Sequence, residues 1–256
     1  MPNNFKDLFA FKDYFSAHAE DYSQFRPYYP DELFFHLSHL TENHNRAWDC
    51  ATGTGQAAVQ LAKYYENVIA TDASDNQVSQ AAELKNVKYA TAAAENSGIK
   101  DHSIDLITVA QALHWFNLEG FTKEVERVLV DQGVLAVWTY NLLTIDPGID
   151  GHINHLYSDL LDPYWAPERN LVENGYQDVS LPFAELDVPR FEMCSHWNLR
   201  QLTGYLNTWS AVKAYEAEQK TNPVELIFQD LATAWGDSEQ ERPIHWPLAL
   251  RIWHKS

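Results

Sequence analysis

The run Asp49-Cys50-Ala51-Thr52-Gly53-Thr54-Gly55-Gln56 brings together residue types that can hold a nucleotide-like ligand. Ala47-Trp48-Asp49-Cys50-Ala51 reads as a buried strand and the two glycines as a tight turn. The residues after them form a helix, with Ala58, Leu61, Ala62 and Tyr65 on one apolar face. Glycine has no Cβ, so the backbone can approach a ligand closely, and the first N–H groups of a helix have no partner within it. Asp72 ends the next strand, 17 residues past Gly55. A carboxylate at that distance can accept two hydrogen bonds from ribose hydroxyls. Strand, turn, helix and acid together point to an adenosine-containing cofactor at the switch point of a parallel sheet.

Two cofactor chemistries fit this outline. Gly53-Thr54-Gly55-Gln56-Ala57-Ala58 satisfies the G-x-G-x-x-A pattern, so a nicotinamide-dependent oxidoreductase is one reading. Asp49 favours another. A carboxylate beside the turn repels a pyrophosphate but attracts an ammonium group, directly or through water. S-adenosylmethionine carries both an ammonium and a sulfonium, so the local charge favours that cationic cofactor.

The elements that must position these residues follow from periodicity. Pro30, Asp31 and Glu32 start a helix whose apolar stripe is Leu33, Leu37 and Leu40. Strands are expected at Val68–Thr71, Val87–Ala90, Ile104–Ala110 and Val134–Tyr140. A helix is expected over 75–84, and another is lined by Leu118, Phe121, Val125 and Val128. Short apolar runs alternating with amphipathic helices define an α/β fold with a doubly wound, mostly parallel sheet. Ahead of it, residues 1–29 are crowded with rings, among them Phe5, Phe9, Phe15, Tyr22 and Tyr29, as in a segment that packs onto something. Beyond Tyr140, five prolines in 141–190 argue against long elements there. Helical character returns over 198–235, and Trp246, Leu248, Leu250 and Ile252 line one face of a last strand. The chain therefore reads as a single domain with four parts. These are an N-terminal lid (1–45), a cofactor-binding core (46–140), a substrate-covering excursion (141–240) and a C-terminal strand (241–256).

Composition narrows the partners. The 256 residues carry 18 basic and 36 acidic side chains, a net charge of −18, which argues against nucleic acid or an anionic membrane. Two cysteines, Cys50 and Cys194, cannot build a disulfide framework or a cysteine-rich zinc site. No apolar run approaches the length of a membrane span, and the first residues lack a signal peptide's apolar stretch, so a cytoplasmic location is the expectation. His152-x-x-His155 lies near Asp146 and Asp150 but lacks a third ligand of fixed spacing, so no metal is expected.

With these residues in view, the sequence resembles the class I S-adenosylmethionine-dependent methyltransferases, and within them the branch containing trans-aconitate methyltransferase. Asp49-x-Ala51-x-Gly53-x-Gly55 looks like their first motif, with Ala51 where the first glycine usually stands. Val68 to Ser74 resembles the second motif, Ala93-Ala94-Glu95 the segment along adenine, and Ser103 to Phe116 the fourth strand and its loop. Glu126-Arg127-Val128-Leu129 before Gly133 completes the series. Phe15, Tyr22, Arg26-Pro27 and Tyr29-Pro30 match the branch's N-terminal pattern.

The resemblance implies a Rossmann-like sheet of seven strands, an N-terminal lid and an insertion before the last strands. It also implies a cofactor shell of Phe15, Tyr22, Arg26, Asp49, Ala51, Thr52, Gly53, Gly55, Gln56, Asp72, Ala73, Ser74, Ala94, Glu95, Ala110, Gln111 and Trp115. His114 and Tyr140 fall at the strand ends facing a small-molecule acceptor, where His114 would orient or deprotonate it. Methyl transfer is an in-line displacement that needs a base only when the acceptor must lose a proton, so a carboxylate or a hydroxyl is the expected acceptor. A nicotinamide oxidoreductase and a non-catalytic cofactor-binding protein are the rival readings, and a monomer or homodimer is expected. Nine acids stand against two bases, Arg169 and Arg190, in 141–190. An anionic acceptor would therefore need Arg26, Arg169, Arg190 or Arg200.

Overall fold

The computed structural model describes residues 27–255. The core opens with helix α1 (Asp31–Ser38), strand β1 (Arg46–Cys50), helix α2 (Gln56–Leu61), strand β2 (Asn67–Asp72), helix α3 (Asp75–Ser79) and strand β3 (Val87–Thr91). It continues with β4 (Ile104–Ala110), a short turn of helix at Leu113–Trp115, helix α4 (Leu118–Val128) and β5 (Leu129–Tyr140). The excursion then supplies α5 (Pro147–Asn154), a π-helical stretch at His155–Leu160, α6 (Arg169–Glu173), β6 (Ala184–Leu186) and β7 (Phe191–Trp197). Three helices follow, α7 (Leu199–Asn207), α8 (Ser210–Gln219) and α9 (Pro223–Trp235), before the long strand β8 (Arg242–His254).

The sheet order is β3-β2-β1-β4-β5-β8, with β6 and β7 both paired to β8. Strands β1 to β5 are parallel, and β8 runs antiparallel to β5. Leu248 faces Tyr140 of β5 on one side and Phe191 of β7 on the other, and His254 likewise lies between Val134 and Ala184. Both short strands therefore share the outer edge of β8. The expected seven-stranded sheet has seven positions, but the outermost is split in two. Asp187-Val188-Pro189-Arg190 interrupts it, because proline has no N–H to give the ladder.

Two apolar cores cover the sheet. On β5, Ala136, Trp138 and Tyr140 pack on one face with Leu33, Phe34, Leu61, Leu202 and Leu231, while Leu135 and Val137 pack on the other with Phe121, Val125 and Tyr176. This is the two-residue alternation of a strand covered on both sides. Strand β4 is buried from Ile104 to Val109, as its near-continuous apolar run requires. Two elements differ from expectation. Helix α3 stops at Ser79 because Gln77 is its one buried side chain, so no apolar stripe holds further turns against the sheet. Pro147, expected to break structure, instead opens α5, where its missing N–H is no loss, and Asp146 caps the helix by accepting from Gly148 and Ile149 N–H at 3.0 and 3.2 Å. Among the described residues, no helix is long and apolar enough to cross a membrane.

One arginine fastens the excursion to the sheet. Arg251 of β8 donates to the carbonyls of Tyr176 and Val179, both at 2.5 Å, and to both oxygens of Glu185 at 2.7 Å, with its guanidinium 4.6 Å from the Trp253 ring. Replacing it leaves the Val179 carbonyl without a donor, at about 1–3 kcal/mol, whereas the Tyr176 carbonyl keeps the Val179 N–H at 3.0 Å. Arg251→Met is expected to lower unfolding free energy by about 1–3 kcal/mol in urea titrations, with the m-value unchanged.

Candidate active site

The glycine turn is built around a buried acid. Asp49 is 1% exposed, and its carboxylate accepts from the Thr52 hydroxyl at 2.5 Å, the Thr108 hydroxyl at 2.8 Å and the backbone N–H of Ala58. Thr108 faces Asp49 directly in the β1–β4 register. Burial nevertheless raises the Asp49 pKa to about 6; the donors pull the other way, and nearby Asp72 adds to the rise. Ala51, Gly53 and Gly55 all have positive φ, at 56°, 56° and 90°. Alanine pays about 1–2 kcal/mol in that region, so Ala51 is held there by the turn rather than by its own preference. At Gly55 a Cβ would also lie 2.5 Å from the Tyr89 hydroxyl, so glycine is required on two counts.

Asp72 closes the turn from the next strand. Its two carboxylate oxygens accept from Gly53 N–H at 2.8 Å and Ser74 N–H at 2.9 Å, and Ser74 in turn caps α3. Thr52 N–H donates to Thr71 at 2.9 Å, tying the turn to β2. Gln56 begins α2 and Ala73 is exposed beside the turn. Ala94 is buried, whereas the Glu95 carboxylate accepts the Asn117 N–H at 2.8 Å, at the start of α4. Ala110 ends β4, and Gln111 follows with φ 56°, its amide donating to the Tyr140 carbonyl at 3.1 Å and its carbonyl accepting from Thr139. Burial pushes the Cys50 thiol well up, so it stays protonated and packs in the core.

The acceptor side is assembled from distant parts of the chain. His114 shares a 2.9 Å hydrogen bond with the hydroxyl of Tyr176, and the rings stack at 6.2 Å. Tyr176 is fully buried, takes φ 61°, and its hydroxyl also meets Thr139. Burial, with the Arg169 charge as a lesser cause, lowers the His114 pKa to about 3, so its imidazole is neutral. Trp115 lies 4.6 Å from the His114 ring and is 39% exposed. Tyr140 is buried against Tyr29, which also packs edge-on against Trp138 at 5.4 Å. Tyr29, from the N-terminal pattern, thus packs at the end of β5. Phe15, Tyr22 and Arg26 lie outside the described residues.

Three contributors escaped sequence reading. Thr108 had a usable signal, a lone hydroxyl within an apolar strand. Tyr89 and Tyr176 had none, because neither stands at a diagnostic spacing. Among the described residues the buried Tyr89 hydroxyl has no hydrogen-bond partner, and it sits against Gly55, at the turn where a ligand would lie.

Known proteins share the sequence and fold of this chain. Residues 48–137 match the family described as a methyltransferase domain. A candidate methyltransferase of Dictyostelium discoideum is 36% identical over 237 residues, covering 90% of each chain. A Saccharomyces cerevisiae protein assigned as an S-adenosylmethionine-dependent methyltransferase is 30% identical over 144 residues, 53% of this chain and 48% of its own. Among solved structures, a candidate type II methyltransferase from Anaeromyxobacter dehalogenans is 40% identical, with a TM-score of 0.85 over 90% of this chain and 98% of that one. The chain belongs to the class I methyltransferase family. It is an enzyme whose cofactor is S-adenosylmethionine, and the nicotinamide reading falls. The residues fit the group: a buried carboxylate for positive charge, glycines without side chains, and an unpartnered hydroxyl beside them.

Asp49 yields a signed prediction. Its folded pKa, about 6, exceeds the ordinary value of 3.8, so its favourable contribution is present below 3.8 and is lost as pH rises through 6. Asp49→Asn should therefore raise the stability of the cofactor-free protein at pH 8 by on the order of 2–3 kcal/mol, and by little at pH 4. The same change should weaken S-adenosylmethionine binding. Melting curves at the two pH values, paired with calorimetry, check both halves; a variant no more stable than wild type at pH 8 would contradict the buried charge.

Proposed function

We propose that this enzyme transfers the methyl group of S-adenosylmethionine to a carboxylate oxygen of a small-molecule acceptor. The observation that carries this reading is His114, which has one ring nitrogen taken by the Tyr176 hydroxyl at 2.9 Å and its pKa pushed down to about 3 by burial. A base that weak cannot usefully take a proton from an alcohol near neutral pH, which disfavours a hydroxyl acceptor. A carboxylate is already ionised and needs no base. The cofactor supplies a methyl carbon activated by its sulfonium, and the protein has to hold the acceptor in line and exclude water.

In this reading Asp49, Ala51, Thr52, Gly53, Gly55 and Gln56 hold the amino-acid end of the cofactor, and Asp72 its ribose. Ala73, Ser74, Ala94, Glu95, Ala110, Gln111 and Trp115 complete the shell. His114 is a positioning group: Tyr176 occupies one ring nitrogen and fixes the plane in which the other meets the acceptor. Tyr140 lines the same space. Segment 1–45, with Phe15, Tyr22 and Arg26, and segment 141–240 cover it and keep bulk water out.

The test uses S-adenosylmethionine labelled in its methyl group, incubated with the enzyme and a metabolite extract. The expected product is a methyl ester that releases its label as methanol in mild alkali. Alkali-stable label overturns the carboxylate assignment. In the cofactor shell, Asp72→Ala is expected to weaken S-adenosylmethionine binding by about 1.5–3 kcal/mol, roughly 10- to 150-fold, through loss of hydrogen bonds to a charged acceptor. Isothermal titration calorimetry measures it, and unchanged affinity would exclude Asp72 from the pocket.

A further inference from the structure

Arg169, the first residue of α6, occupies an unusual position for a cation in this acidic chain. It is half-buried. Its guanidinium lies 4.8 Å from the Trp165 ring and 5.5 Å from the Tyr157 ring, and its Nε donates to the Tyr157 hydroxyl at 3.0 Å. Tyr157 is itself held: its hydroxyl donates to Glu173, and its ring packs against Trp165 at 4.9 Å and edge-on against Trp209 at 5.8 Å. The guanidinium is thus held by two rings and a hydroxyl rather than by an ion pair.

The contrast with other arginines is informative. Arg127 pairs with Asp101 and Glu124, Arg242 with Asp146, and Arg251 with Glu185. Among the described residues no carboxylate lies within ion-pair distance of Arg169, and no protein acceptor engages its two Nη groups. Its place is equally specific. Helix α6 packs against the Leu113–Trp115 turn and against β5, and the Arg169 charge is felt at both His114 and Tyr176. Of the other arginines considered for an anionic acceptor, Arg190 and Arg200 are exposed, and Arg26 lies outside the described residues.

We propose that Arg169, held in its aromatic cradle on the helix that packs against the His114 turn, is the specificity-determining residue that pairs with an anionic carboxylate of the methyl acceptor. The assignment rests on the proposed acceptor site next to His114. A planar guanidinium with both Nη groups available matches a carboxylate through two parallel N–H···O bonds, a match that an ammonium cannot reproduce. Partial burial strengthens the pairing, because water screens it less. The fork supplies what the surrounding acids of 141–190 would otherwise deny to an anion. Glu173, one hydroxyl away through Tyr157, would repel an anion placed on that side. The ligand's carboxylate therefore belongs on the Nη edge, away from Nε.

The experiment uses an isosteric pair of probes, benzoate and benzamide, titrated into the full chain saturated with S-adenosylhomocysteine and followed by protein-observed NMR. Wild type is expected to bind benzoate roughly tenfold or more tightly than benzamide. Arg169→Gln should bring the two within about twofold, with S-adenosylhomocysteine affinity and melting temperature unchanged, and Arg169→Lys should fall between. Equal binding of the two probes to wild type, no binding of either, or a preference that survives Arg169→Gln overturns the assignment. Failure of wild type to bind S-adenosylhomocysteine would instead overturn the cofactor site, so the two failures are distinguishable.

Discussion

The structure depends on one buried carboxylate. Asp49 sits at the end of β1 with almost no solvent contact, and a buried charge is tolerated only when donors surround it. Meeting that requirement constrains everything nearby. Thr108 must lie opposite in the register of β4, the turn must fold back so that Thr52 reaches the same carboxylate, and α2 must start where Ala58 can offer its N–H. The left-handed backbone at Ala51, Gly53 and Gly55 is the geometric result. Even so, the donors do not fully offset desolvation, which leaves a site that favours an added positive charge. A cationic cofactor is what this enzyme family supplies.

The other half of the site obeys a different logic. Around His114 the protein removes basicity instead of creating it, through burial and the charge of Arg169. Reactions that begin with a difficult deprotonation usually show the opposite tuning. The methyl carbon comes activated by the cofactor, so precise placement of the acceptor and a dry pocket matter more than proton transfer. In the proposed function Tyr176 bears much of that placement. It is fully buried, adopts a backbone conformation uncommon for an aromatic residue, and links the loop after β4 with the end of β5. Arg251 holds the backbone of the same segment from the neighbouring strand β8, on the same face of the sheet.

Much of the core was legible because its signals are local. Buried strand, glycine turn and helix succeed one another within about twenty residues, and the expected Ile104–Ala110 strand is found with the same limits. The alternation that sends Trp138 and Tyr140 to one core and Val137 to the other is a two-residue rhythm. Helix α3 was overestimated because alanines suit a helix but offered no apolar stripe to dock. The excursion was read as broken by proline, yet Pro147 begins a helix, since proline interrupts or initiates according to the residue that caps it. Pro189 does act as a break, dividing the outer strand.

By itself, the sequence determined the fold class and the glycine turn with the acid on either side of it, because strand period, glycine spacing and the distance to Asp72 are set by short-range geometry. Tertiary structure alone decided what surrounds the acceptor. His114 and Tyr176 are 62 residues apart, and the guanidinium of Arg169 acquires its meaning from rings and a histidine that no spacing rule connects to it. Burial decided the rest. The proton affinities of Asp49 and His114 are shifted in opposite directions, one up and one down, by the same loss of water, and a residue's distance from water is a property of the packed chain.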